Sequence, residues 1–157
     1  MRPPEQRGRI VGGARFHRWS EMPRERLTGL LGRRFLYGQR VMLSHVYLKK
    51  GCLVPKHRHE NEQVSYILEG RVLFTLGEDG AEEEQLLRAG DVLVIPGNLP
   101  HSAEALVDSL SLDVFGPPRQ DWIDGTDAYL RGPHRPPKAR RTPAGRAPRR
   151  RRATARR

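Results

Sequence analysis

Cysteine occurs once in 157 residues, at Cys52. A lone cysteine cannot close an intrachain disulfide, which excludes a small secreted domain held by cross-links and fits a reducing compartment. Apolar runs are short. None approaches the roughly 20 residues of a membrane-spanning helix. The opening stretch MRPPEQRGRI has no apolar core of the signal-peptide kind. The expectation is a soluble cytoplasmic protein. Aromatic residues are also few, 6% of the chain, and acidic residues are missing from one end altogether. Residues 131–157 carry twelve Lys or Arg and no Asp or Glu; the other 17 basic residues and all 18 acidic ones lie in 1–130, which therefore sums to −1. The overall charge of +11 belongs to that end and says nothing about what the rest of the chain binds.

Residues 131–157 also lack Leu, Ile, Val and aromatics. Such a segment cannot bury enough apolar surface to offset its ordering entropy, so a disordered basic tail is expected. It would hold polyanions, nucleic acid included, through salt-sensitive charge contacts without base stacking. A purely solubilising extension accounts for its composition equally well.

What remains is the size of one domain. Residues 1–15, rich in Arg, Gly and Pro, read as a flexible lead-in, and 16–130 as the folded unit. Short apolar runs follow one another between turn residues: RVMLSHVYLKKG, QVSYILEG, RVLFTLGEDG, DVLVIPGNLPH and SLSLDVFGPP. Strands this short, with turns every 8–12 residues or so, predict an all-β sandwich or small barrel. RQDWIDGTDAYL predicts a short helix or turn lying on it. There is no internal repeat.

The chemistry concentrates in HRHENEQ, residues 57–63. On an extended strand, side chains two apart leave the same face, so His57 and His59 can chelate one ion. Gln63 opens the next strand, and His101 follows a later one. Strands distant in sequence can converge inside a barrel. From spacing alone a solvated polar turn around Glu60, Asn61 and Glu62 stays open beside the metal reading. The wider pattern resembles the cupin family. Gly51, His57-x-His59, Gln63 and Gly70 are spaced like its first motif, and Gly90, Pro96 and His101 like its second. That resemblance implies a single cupin barrel, a jelly roll or double-stranded β-helix. One divalent metal per chain (zinc, nickel, iron or manganese) would be held by His57, His59, Gln63 and His101. Two positions depart from the family pattern: Gln63 stands where glutamate is usual, and Asn98 where glycine is.

A second group lies in DVFGPPRQDW. Ser111, Asp113 and Phe115 alternate onto one strand face, with Leu112 and Val114 on the other, and Arg119 follows two prolines. Asp113 facing the barrel interior would be a proton carrier beside a metal, and Arg119 a clamp for a carboxylate; an exposed Asp and Arg are the alternative on spacing alone. With the histidines, D-x-F-x-P-P-R is similar to cupins of pectin degradation that convert 4,5-unsaturated uronates to linear ketones. That similarity implies roles for Asp113, Phe115 and Arg119 in catalysis and substrate binding, and a small carboxylate substrate. Three readings follow. The chain is a metal-dependent enzyme on a sugar acid, a non-catalytic small-molecule-binding cupin, or a cupin core whose tail contacts nucleic acid. A dioxygenase that uses the usual glutamate as a base is disfavoured by Gln63. Cupins generally pair, so a homodimer is expected, with residues 16–40 able to supply a strand. His45 and Tyr66 are read as packed or surface residues, and Cys52 as structural.

Overall fold

The computed structural model describes residues 8–132. Residues 1–7 and 133–157, and with them nearly all of the expected polyanion-binding tail, lie outside the described residues. Among the described residues twelve strands form: β1 (Arg9–Val11), β2 (Ala14–Phe16), β3 (Glu25–Arg26), β4 (Leu31–Tyr37), β5 (Met42–Leu48), β6 (Leu53–His57), β7 (Glu62–Glu69), β8 (Arg71–Leu76), β9 (Glu83–Arg88), β10 (Val92–Ile95), β11 (His101–Ala105) and β12 (Ser109–Gly116). A single α-helix, α1 (Gln120–Asp124), and a 3₁₀ turn at Ala128–Leu130 close the described chain. No helix among the described residues is long and apolar enough to cross a membrane.

Two antiparallel sheets face each other in the jelly-roll manner. One runs β10-β7-β12-β5-β4-β3 and the other β6-β11-β8-β9. The strict alternation of β12, with Ser109, Ser111, Asp113 and Phe115 buried between half-buried neighbours, is the period-2 signature of a strand with one face to the core. Its place in the middle of the larger sheet gives it partners on both sides. Asp113 lies opposite Ser44 of β5 and Ser65 of β7. The core divides into two apolar clusters. One is built on Leu27, Leu31, Met42, Leu48, Phe115 and Trp122, the other on Ile67, Val72, Phe74, Leu87 and Ile95.

The turn expected after Glu69 is where the chain leaves one sheet for the other. Gly70 has φ +89°, and a Cβ there would sit 2.2 Å from Ser109 Oγ and 2.5 Å from the Asp108 carbonyl. Only glycine fits so close an approach in that backbone conformation. Within the segment expected to be a flexible lead-in, β1 and β2 pair as an exposed hairpin. At the other end, Arg131 is anchored to the barrel by ion pairs to Glu25 and Asp127, so the first residue assigned to the tail belongs to the folded unit.

Candidate metal centre

His57 ends β6 and His101 begins β11, and the two are direct cross-strand partners. Their ring centroids are 4.4 Å apart. His59 lies two residues past His57 in the following turn, its ring 5.5 Å from His57 and 5.1 Å from His101. One nitrogen from each of the three lies within 4.8 Å of the others.

Hydrogen bonds fix which nitrogen is available. His57 Nδ1 lies 2.8 Å from the Pro55 carbonyl, His101 Nδ1 2.8 Å from the Leu99 carbonyl and His59 Nδ1 3.0 Å from the Asn61 carbonyl. A carbonyl only accepts, so each Nδ1 carries the proton and each Nε2 a lone pair. The buried His101 Nε2 has no partner among the described residues. Gln63 completes the set. Its amide nitrogen donates to Ser65 Oγ at 2.9 Å, which turns its oxygen toward His59 Nε2 at 3.2 Å. Two lone pairs then face each other, an arrangement that a cation between them stabilises. The orphaned His101 Nε2, main-chain carbonyls orienting the three rings and a neutral amide oxygen fit a divalent metal. Protons are poor substitutes. Burial, then the neighbouring His101, holds His57 down at about 3, and burial, then Arg119, holds His59 at about 4. His101 is lowered mainly by burial.

Glu60 and Glu62 are exposed, whereas Asn61 is buried. The side chain of Asn61 donates to the Pro117 carbonyl at 2.6 Å, tying the histidine turn to the segment that leads to Arg119. The turn before His101 is tied down too, since Asn98 N donates to the His59 carbonyl at 2.7 Å. Asn98, in the usual glycine position, has φ +65°, a left-handed conformation that asparagine tolerates.

His57, Gln63, His101, Asp113, Phe115 and Arg119 line one cavity of about 60 Å³. Phe115 packs its ring 5.7 Å from His59. Asp113 is buried, accepts a hydrogen bond from Ser111 Oγ at 2.7 Å, and is held above the usual carboxylate range mainly by burial. Arg119 is buried as well, but its fork is already engaged. Nε and Nη2 donate to the two Asp121 oxygens at 2.9 and 2.6 Å, and Nη2 also donates to Tyr129 OH at 2.6 Å. The edge of the fork formed by Nε and Nη2 is therefore occupied by Asp121. The cavity also recruits Arg33, Trp122, Tyr129 and Leu130, none of which lies in either cupin motif. Trp122 carries both guanidinium groups, Arg33 at 4.3 Å and Arg119 at 5.3 Å from its ring centroid. The aromatic pair in DWIDGTDAY was the available signal. The residues read as structural stay outside the site: His45 accepts a hydrogen bond from Trp19 at 3.0 Å, Tyr66 is exposed, and Cys52 is buried with its thiol pushed up to about 11 by burial.

Residues 44–113 match the cupin domain model. KdgF from Halomonas sp. has a similar solved structure, with 29% identity, a TM-score of 0.59, and coverage of 66% of this chain and 94% of that one. An RmlC-like cupin from Shewanella frigidimarina matches at 28% identity and a TM-score of 0.63, over 69% of this chain and 95% of that one. Among curated relatives, 3-hydroxyanthranilate 3,4-dioxygenase from Rattus norvegicus is 27% identical over 74 residues, 47% of this chain. The chain spans only about a quarter of that relative's length (26%). Motif match, strand order and structural neighbours agree that this is a chain of cupin fold with a three-histidine group able to hold a metal, resembling KdgF and an RmlC-like cupin.

Proposed function

We propose that this chain is a metal-dependent enzyme that linearises a small unsaturated uronate. The supporting observation is that two imidazoles, His57 and His101, an amide side chain, a buried carboxyl and a guanidinium line one cavity, with the His59 imidazole grouped beside the first two. A metal held by His57, His59, Gln63 and His101 would polarise substrate oxygens as a Lewis acid. Four neutral ligands leave its full charge to act on them. Arg119 Nη1 receives the acid's carboxylate. The Asp113 carboxyl, which burial helps to stay protonated, delivers a proton to C4 as water adds at C5 of the ring enol ether. The adding water returns one proton to the Asp113 carboxylate; the hemiketal so formed opens by breaking the bond between C5 and the ring oxygen, the proton of the C5 hydroxyl passing to that oxygen as C5 becomes the ketone. Phe115 keeps one wall of the cavity apolar.

The test is turnover of a 4,5-unsaturated galacturonate, followed by loss of its ultraviolet absorbance. Asp113→Ala is expected to keep its metal and lose turnover; full activity in that variant ends the mechanism. The curated matches make dioxygenation the second reading. It requires oxygen uptake with an aromatic or enediol substrate, which an oxygen electrode decides.

The expected homodimer finds support on the outer face of the larger sheet. Val94, Val64, Val114 and Leu43 lie in one row across β10, β7, β12 and β5, with Val92, Tyr66 and Leu112 in the next. Val92 and Val94 are more than half exposed, at 55% and 58%. Apolar rows of this kind mark association surfaces. A monomer by sedimentation, unchanged by Val94→Lys, counts against pairing there.

A further inference from the structure

The last wall of the cavity comes from a segment beyond the residues that match the cupin domain. Tyr129 sits in the 3₁₀ turn Ala128–Leu130, its ring 4.9 Å from that of His57 and tilted by 34°. It is held from both sides. Leu130 enters the apolar core next to it. Asp127, fully buried, pairs with the buried Arg33 at 2.6 Å and with Arg131 at 3.2 Å. The Tyr129 hydroxyl accepts from Arg119 Nη2, which leaves its own proton to donate. Space is short, about 60 Å³, and Tyr129 forms part of its wall, so an acid bound there lies against the phenol ring.

We infer that Tyr129 is a substrate-binding residue, its hydroxyl donating to the acid's carboxylate beside Arg119 Nη1 and its ring setting the size limit of the site. This rests on the reading of the cavity as a site for a small acid. It assigns a role to a residue outside both cupin motifs. It also explains how Arg119 serves a carboxylate although Asp121 holds its fork: the second donor is the phenol. A hydrogen bond to a charged group corresponds to about tenfold in binding or more.

The experiment uses the full chain loaded with metal, with metal content and melting temperature confirmed for each variant. D-galacturonate and digalacturonate are titrated by calorimetry, and KM and kcat are measured on the unsaturated monomer. Tyr129→Phe keeps the ring and loses the donor. It is expected to weaken galacturonate binding and raise KM about tenfold, with kcat within twofold and digalacturonate still excluded. Tyr129→Ala, or Tyr129→Leu if the alanine variant does not fold, is expected to admit digalacturonate. Wild-type affinity and KM in Tyr129→Phe, or an unchanged size limit in the smaller variant, overturns the inference. Cyclohexanecarboxylate separates the two readings. If wild-type protein ignores both uronates but binds this acid, and Tyr129→Phe weakens that binding tenfold, the uronate function fails while the role of Tyr129 stands. If Tyr129→Phe leaves that binding unchanged, both fail.

Discussion

At pH 5.5, a divalent metal will enter this site with release of fewer than about one proton. Three ordinary imidazoles, each with a pKa of about 6.5, would be roughly nine-tenths protonated at that pH and would together release about 2.7 protons to a metal. Here His57 titrates at about 3 and His59 at about 4. Those values leave them about 0.3% and 3% protonated at pH 5.5, so the pair releases about 0.03 protons. His101, also lowered, adds less than about 0.9. The sign follows from burial: the charged imidazolium is the disfavoured form, so the site stays ready for metal well below the usual histidine range. In the metal-free protein the same shifts make stability complete above about pH 6.5 and progressively lost as pH falls toward 4 and 3, because the unfolded chain takes up protons that the folded one refuses. Calorimetry of zinc or manganese binding in two buffers of different ionisation enthalpy counts the protons. The slope of log Kd against pH between 5 and 6 is the second measure. A slope near two or three would mean that the imidazoles are solvated and titrate normally, and the argument from burial would be refuted.

Two further predictions concern the scaffold. Asp127→Asn leaves Arg33, 1% exposed, with only Glu25 at 2.8 Å for a counter-charge among the described residues; the expected loss is about 3 kcal/mol in urea denaturation, and a loss below about 1 kcal/mol contradicts the burial argument. Asn98→Ala is expected to cost about 1 kcal/mol at φ +65°, while Asn98→Gly stays near wild type; equal melting temperatures for the two variants refute the backbone explanation.

The strands that could be read from the sequence are those whose side chains alternate against the core. The runs in β5, β7, β8, β10 and β12 all carry aliphatic residues at the required spacing. β6 was hidden by Pro55 and Lys56, β9 by a mostly polar edge, EEQLLR, and β11 by small residues, HSAEA. These three belong to the smaller sheet, where pairing and the facing sheet supply what local propensity does not. At the site, motif spacing picked out His57, His59, Gln63 and His101, and the structure gathers them beside Asp113, Phe115 and Arg119. The engagement of Arg119 by Asp121 was not legible, nor were Arg33 and Tyr129. Arg33 reaches the cavity from β4, whereas Tyr129 meets it only because α1 and the turn after it fold back across the barrel, a tertiary event with no periodic signature in RQDWIDGTDAYL.

The bonds that aim the three imidazoles end on the main-chain oxygens of Pro55, Leu99 and Asn61. Every amino acid has that oxygen, so no side-chain replacement at these three positions deletes an acceptor. Such a centre presents a small genetic target. Drift can remove a ligand outright, but it cannot easily disorient one. Selection on the neighbouring side chains is then free to reshape the walls for a different acid while the metal's geometry is inherited unchanged.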